Sequence, residues 1–413
     1  MKIVERINKI FGSADRRSVA GFAALTLAAL AFRFYLAPQK GSEYDMGAFA
    51  YWAATGQHFN FLHFYWPGTW MKLSFPNYAL FFPVLAFLGP AAQATTEAGR
   101  VFLKTPAIFG DIILAGIVYC CAKPRSRLAA AAFILFNPAV WFDSAVFGQV
   151  DCLHTVCMTL SVLAASDRKY RGAWMYLVAG MFFKVQAIAV LPLIAALHWR
   201  GSGFKKMAWE LVPAAVLAAA LALPFAIASS LSGIWNSMRS SVGLFPKVSI
   251  NAWNPWFLLH MFSGRWISDA ETFLGLSYRN LGLLALAIMI AAIIYVLPKR
   301  PSRPVVFAAA AAMCFSFFML PTEMHERYLY PLLPFIAVII GESWVVALVA
   351  VAVSIVIFMD MNYAQFWSSA ISRYLQTVND LVVWTLVSIA LFVIFLVWFF
   401  RFVAREKQGL TEK

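Results

Sequence analysis

Asn77-Tyr78-Ala79-Leu80-Phe81-Phe82-Pro83-Val84-Leu85-Ala86-Phe87-Leu88-Gly89-Pro90 is the stretch on which the topology turns. Its apolar run, Tyr78–Leu88, has eleven residues, with Pro83 in the middle and the Gly89-Pro90 break behind it. A helix needs about 20 apolar residues to cross a bilayer, so this run is predicted to lie flat in the interface. A crossing at Tyr78–Ala92 would instead put Lys123-Pro124-Arg125-Ser126-Arg127 on the outer side, against the rule that Lys and Arg gather in cytoplasmic loops. With the flat placement, that run and every later basic loop fall inside.

Composition agrees with a membrane chain. Of 413 residues, 62% are hydrophobic and 13% charged, whereas soluble domains carry about 25% charged residues. The net charge of +14 sits in short loops between apolar runs, which is a topology signal and not a nucleic-acid footprint. The five cysteines (Cys120, Cys121, Cys152, Cys157, Cys314) all fall in apolar runs without metal-ligand or disulfide spacing, as expected of small buried hydrophobes. The first apolar run has no clear small-residue cleavage site and is long enough to span, so no cleavable signal peptide is expected.

Working outward, residues 1–17 hold five Lys/Arg and read as a cytoplasmic tail. Val19–Ala37 is the first span, with Arg33 near its outer end in a position to snorkel. A first outer loop, 38–100, carries two interfacial helices. Spans follow at Val101–Cys121, Leu128–Phe142 and Asp151–Ala165. Ala173–His198 has basic, cytoplasmic ends on both sides (Arg171; Arg200, Lys205, Lys206), so it must go up and come back. It is predicted to be two short helices hinged near Lys184-Val185-Gln186; broken helices of this kind are tolerated only where they line a polar cavity. Leu211–Ala228, a second large outer loop at 229–277, and spans at Tyr278–Leu297, Val305–Leu320, Tyr328–Ile340, Trp344–Met361 and Leu381–Val403 complete the chain before a tail at 404–413. The expectation is a single all-α integral membrane domain, 1–413, with about twelve passes and both termini inside. No internal repeat is evident.

Five polar clusters then fall at or near the outer face: Glu43/Asp45; Asp143 with Gln149 and Asp151; Lys184/Gln186; Arg239/Lys247; and Glu323-Met324-His325-Glu326-Arg327. A charge at membrane depth costs on the order of 2.5–3.5 kcal/mol, so their gathering on one side is a functional signal. Each has a plain structural alternative. Ser42-Glu43-Tyr44-Asp45 has capping-box-like spacing, followed by an apolar face of Met46, Phe49, Ala50 and Ala53. Asp151 suits an N-cap and Gln149 a turn. Lys184 needs an anion, either a carboxylate of this chain or a substrate phosphate. Asp111, mid-span, reads as structural and paired with Lys104. Trp66, Trp70, Trp253 and Trp256 either anchor the outer loops at the interface or stack on sugar faces.

Together these stretches resemble the GT-C superfamily of polyprenyl-phosphate-sugar-dependent glycosyltransferases, closest in pattern to the dolichyl-phosphate-glucose glucosyltransferases of N-glycan assembly and their bacterial relatives. The likeness runs in order through Glu43-Tyr44-Asp45-Met46 with Tyr51 and Trp52, then Phe75-Pro76-Asn77-Tyr78, where the family usually has a second proline. It continues through Asn137-Pro138…Asp143…Phe147-Gly148-Gln149, Phe183-Lys184-Val185-Gln186 (one residue inserted) and His325-Glu326-Arg327, covering about residues 43–335. The resemblance implies the GT-C fold and an inverting transfer of mannose, glucose or a similar sugar from a polyprenyl-phosphate donor to a lipid-linked or cell-envelope glycan acceptor. Asp45 would be the general base, with Glu43 beside it. Lys184, His325 and Arg327, then Arg239 and Lys247, would meet the donor phosphate. Asp151, Gln149, Asp143, Gln186, Glu326 and Tyr44 would position substrate. The implied place is a multi-pass membrane, a bacterial inner membrane by preference, with the site facing the periplasm. Partners would be that donor, a glycan or glycolipid acceptor and membrane lipids, with no nucleic acid. No metal-type cluster is seen and no cofactor is expected, although Glu43, Asp45 and Asp151 could converge on a divalent ion. Two alternatives stand: a surface-polysaccharide polymerase or ligase using a diphosphate-linked donor, and a secondary transporter or lipid flippase.

Overall fold

The computed structural model describes residues 16–58, 93–227, 231–239, 243, 245–365, 375 and 377–409. The flat helix expected at Tyr78–Leu88, Phe75-Pro76, Trp66, Trp70 and nearly all of the tail 1–17 lie outside them.

What is described is almost wholly helical. Among the described residues, six helices are long and apolar enough to cross a membrane, or seven if one bent pair counts as a single span. They include α1 (Arg16–Leu36) and, after α2 (Glu43–His58), α3 (Glu97–Cys121). The bent pair is α4 (Arg127–Phe136) and α5 (Pro138–Trp141) with a π-helical turn at Phe142–Phe147, broken by 42°. Asn137 makes that break: its Oδ1 accepts from the Ala139 amide and caps α5, with Pro138 at the first helical position.

Helices α6 (Asp151–Ser166) and α7 (Tyr170–Phe183) form an antiparallel hairpin. The chain then breaks at Lys184 (φ −158°, ψ 127°), winds a 3-10 turn at Val185–Val190 and enters α8 (Leu191–Ile227). This is the up-and-back course expected from the two basic ends: Tyr170 at the start of α7 donates to Leu197 O at 3.0 Å, and Trp174 Nε1 to His198 Nδ1 at 2.9 Å. α8 is itself two helices joined at Gly203 (φ 75°, ψ 164°). His198 Nε2 lies 2.9 Å from Glu210, yet in a straight helix these residues would be about 18 Å apart. The chain therefore folds back at Gly203.

The rest comprises α9 (Leu231–Arg239), α10 (Pro255–Ser263), a hairpin β1 (Thr272–Phe273)–β2 (Leu276–Ser277), α11 (Tyr278–Val296), α12 (Arg303–Met319), α13 (Leu332–Val338), α14 (Trp344–Gln365) and α15 (Val378–Lys407). α12 is the central helix. Ala308–Ala312 are all fully buried, and such small residues let neighbouring backbones approach. The periphery is opposite in character: Leu27, Ile288, Leu348 and Val393 are more than half exposed, as apolar surface turned to lipid would be. The span expected at Tyr328–Ile340 is helical only over seven residues; Pro331 and Pro334 interrupt its backbone ladder, and burial on all sides replaces helix length.

Contacts divide the bundle into two ends. At one, the basic loops meet: Lys123 pairs with Glu342 at 2.8 Å, Arg303 with Asp167 at 3.0 Å, and the Ser302 amide donates to Glu406 at 2.9 Å. At the other lie Lys184, Asp151 and the segment 320–331.

Two expected pairings are corrected. Arg33 does not snorkel, and Asp111 does not pair with Lys104. Arg33 and Asp111 are both fully buried and form a salt bridge at 2.9 Å, with Ser144 Oγ and Tyr330 OH donating to the same carboxylate at 2.6 and 2.8 Å. A second Arg33 nitrogen donates to Leu135 O at 2.7 Å, the carbonyl that the break at Asn137 leaves open. Lys104 instead donates to Ala37 O and Gln39 O at 3.1 and 2.7 Å, and Arg100 to Pro38 O at 2.6 Å. Cations there satisfy the last carbonyls of α1 and suit its dipole. Trp253 is corrected as well: it is fully buried, stacked on Trp384 at 5.9 Å, and so neither anchors at an interface nor faces a sugar. Trp256 is part-buried and tied to Leu320 O at 2.7 Å.

Candidate functional site

Asp151 is the hub. Gly148 adopts φ 88°, a left-handed turn suited to glycine, and closes the π turn so that α6 starts at Asp151. The residue preceding the helix is Val150, so Asp151 is no N-cap; its carboxylate points instead to the broken helix. Lys184 Nζ forms a direct salt bridge with Asp151 Oδ1, while Arg327 Nε and His154 Nδ1 lie 3.7 and 3.9 Å from that carboxylate. Lys184 therefore finds its anion within the chain. Its other flank lies over the Tyr328 ring at 5.1 Å.

The segment 320–331 supplies the second half. Arg327 donates to Glu326 at 2.6 Å and sits 5.4 Å over the Phe147 ring. Burial pushes the Glu326 carboxyl up, but the adjoining Arg327 guanidinium and the His325 ring together outweigh it and hold the group down at about 2. Burial pushes the His325 imidazole below its usual range, although Glu326 and Asp45 both favour its charged form. His325 is thus a weaker base than a free imidazole. Its strand-like neighbours are Ile250 and Asn251, and Phe245 meets its ring edge-on at 5.8 Å.

A depressed Glu326 pKa stabilises the fold fully above the ordinary carboxylate value, and that contribution is lost as pH falls from about 4.5 to about 2. The melting-temperature advantage of the native protein over Glu326→Gln is expected to shrink across that window. An advantage unchanged down to pH 2 would show that Arg327 does not hold the carboxylate.

Asp143 and Gln149 complete the inner wall. Both are fully buried, and neither carboxylate oxygen of Asp143 nor either amide atom of Gln149 has a hydrogen-bond partner among the described residues. Asp143 lies close enough to Asp151, Lys184 and Arg327 to interact with their charges. Four unpaired buried polar atoms cost about 1–3 kcal/mol each unless something else meets them.

Asp45 lies on α2, close enough to His325 to act on its charge. Ser42 Oγ accepts from the Asp45 amide at 3.2 Å and donates to its carboxylate at 2.9 Å, so the capping role is real. The Ser42 amide goes to Phe147 O at 3.1 Å, docking α2 onto the π turn. Met46, Phe49, Trp52 and Ala53 form the buried face. Asp45 is half-buried, unlike Asp143, and among the described residues it has no short ion pair of the kind that occupies Asp151 and Glu326. Gly41 makes the approach possible: at φ 72°, a Cβ would lie 2.6 Å from Val146 O and 2.7 Å from Phe147 O. Gly41→Ala is expected to cost more than about 1 kcal/mol and to shift α2 away from the cluster, visible as a lowered melting point and faster proteolysis near Gly41. An unchanged melt and cleavage pattern would contradict the close docking.

Other expected residues lie apart. Glu43 and Tyr44 are exposed. Gln186 lines an adjoining cavity of about 250 Å3 with Val185, Ile188, Arg279, Phe317 and Tyr328. Lys247 covers the Trp266 ring at 4.2 Å, at the rim. Arg239 ends α9, and its side chain lies outside the described residues. Glu43, Asp45 and Asp151 do not converge: among the described residues no three His, Cys, Asp or Glu side chains are placed to hold a metal ion. Sequence reasoning missed His154, one turn on from Asp151, and Asp360, a carboxylate inside the apolar helix α14 that accepts from the Trp253 amide at 3.0 Å and lies near Glu326. Its isolation in an apolar run was the available signal.

Comparisons with known protein families and with curated proteins find no match.

Proposed function

We propose that the chain is a GT-C-type, polyprenyl-phosphate-sugar-dependent glycosyltransferase acting at the extracytoplasmic face of a membrane, about twelve helices crossing it. The observation carrying this is a partly exposed carboxylate, Asp45, on the helix docked at Phe147 and close enough to His325 to act on its charge, together with a buried wall of Asp143 and Gln149 atoms that lack partners among the described residues, beside Lys184 and Arg327. A sugar presents several hydroxyls, each able to donate and accept, which suits those four atoms. A phosphate leaving group suits donors fixed by a salt-bridge network.

The charge balance refines the roles. Lys184 and Arg327 are already matched by Asp151 and Glu326. A phosphate arriving there gains directed hydrogen bonds from preset donors more than net attraction, and the carboxylates serve to hold the donors in place. Asp45 would take the proton from an acceptor hydroxyl as it attacks the sugar C1 from the face opposite the phosphate, giving inversion. A carboxylate is a weak base for a hydroxyl, so it helps most once the sugar has oxocarbenium character.

Purified protein given radiolabelled polyprenyl-phosphate-mannose, -glucose or -arabinose with a membrane lipid extract is expected to transfer label to a lipid-soluble acceptor. Binding without transfer from any of them would refute this reading. Activity with a diphosphate-linked donor would then favour the polymerase or ligase class, and vesicle uptake or flipping the transporter class.

A further inference from the structure

A cavity of about 220 Å3 opens at the other end of the bundle, where the basic loops meet. Arg168, Arg200, Lys299 and Arg300 line it, with Tyr170 and Gly201 in its wall. They come from three separate places in the chain: the α6–α7 turn, the α8 bend and the loop between α11 and α12. Basic loops on one side of a membrane need only be near one another to satisfy the topology rule. Convergence of four cations on one concavity goes further.

The lining is built. Tyr170 is fixed by its bond to Leu197 O at 3.0 Å, and Arg200 braces the α11 terminus by donating to Leu297 O at 3.3 Å. Arg168 is held at φ 59°, an uncommon conformation for a residue with a side chain. No Asp or Glu is among the residues lining the cavity. Asp167, next to Arg168, is occupied by Arg303 and Lys169 at 3.0 and 3.4 Å. Glu210 faces His198 and Lys206 at 2.9 and 3.9 Å. At about 30 Å3 per water, the cavity admits a hydrated polyatomic anion.

The surroundings mark its depth. Trp199 is 64% exposed, Phe204 69%, Trp209 75% and Tyr295 82%. Aromatic side chains of this kind gather at the headgroup level of a bilayer, and basic pockets between membrane helices suit anionic headgroups.

We propose that this cavity binds a phosphate group, carried by the headgroup of an anionic lipid or free in solution. The site is independent of the sugar-transfer proposal, being at the opposite end of the bundle.

Native mass spectrometry in detergent, with phosphatidylglycerol, phosphatidylcholine or inorganic phosphate added, tests it. Bound phosphatidylglycerol is expected to exceed phosphatidylcholine and to fall about tenfold or more in Arg168→Asn/Arg300→Gln. Asn tolerates the backbone of position 168. If that protein is not monodisperse, Lys299→Gln/Arg300→Gln replaces it. Arg125→Gln/Lys407→Gln removes equal charge from the same end outside the cavity and is expected to leave binding unchanged. Displacement of the lipid by inorganic phosphate at comparable concentration would identify free phosphate as the ligand and retain the site. Equal losses in the cavity and control variants, or no loss in the cavity variant, would overturn it.

Discussion

Asp111→Asn is expected to lower stability by about 3–5 kcal/mol, because it leaves the Arg33 guanidinium buried without a counter-charge. Both groups are fully buried, and the salt bridge joins α1 to α3, with Ser144 and Tyr330 completing the carboxylate's bonds. Arg33→Met removes the other charge and strands the carboxylate, with a loss of the same order. The double variant is expected to recover most of the loss. An asparagine at 111 can accept from Ser144 or Tyr330 without needing a cation, and methionine fills the arginine's path with an apolar chain. Thermal unfolding of the four proteins in one detergent gives the cycle. If the double variant were as unstable as the sum of the singles, the two residues would not be coupled and the pairing would be refuted.

Asp45→Asn is expected to reduce sugar transfer by about 10²–10⁴-fold, the usual contribution of a positioned general base. Donor binding and the melting point should be nearly unchanged. Asparagine keeps the carbonyl oxygen that accepts from Ser42, and the Asp45 amide's own bond to Ser42 Oγ does not involve the side chain. The loss should therefore appear in kcat more than in KM. Undiminished transfer would move the base to Glu43, exposed on the same helix, since Asp151 and Glu326 are each committed to a cation. Loss of donor binding together with activity would make Asp45 a binding group instead.

Much of this was legible in the sequence. The alternation of apolar runs with Lys/Arg loops gives helices and their ends because an unpaired backbone and a buried charge are both costly in lipid. The break at Lys184 was readable from basic residues on both sides of Ala173–His198. The capping of α2 was readable from Ser42 and Asp45. The gathering of Asp143, Asp151, Lys184 and His325-Glu326-Arg327 was readable as a one-sided placement of polar clusters.

Pairings were not legible. Lys104 and Asp111 lie two turns apart on one helix and look like partners, yet each is satisfied by another element: Asp111 by Arg33, 78 positions away, and Lys104 by the carbonyls ending α1. Trp253 looked like a loop tryptophan until packing buried it. Periodicity and charge bias report how each segment meets its solvent. They do not report which segments are neighbours, and a buried charge takes its partner from whichever neighbour packing supplies. The sequence by itself determined that this chain is a bundle of apolar helices with basic loops and a set of polar groups that apolar surroundings penalise. Only the tertiary structure decided which cation meets which carboxylate, that His325 is buried against Glu326, and that Asp143 and Gln149 find no hydrogen-bond partner among the described residues. Those outcomes depend on distances and burial that arise when the helices close on one another.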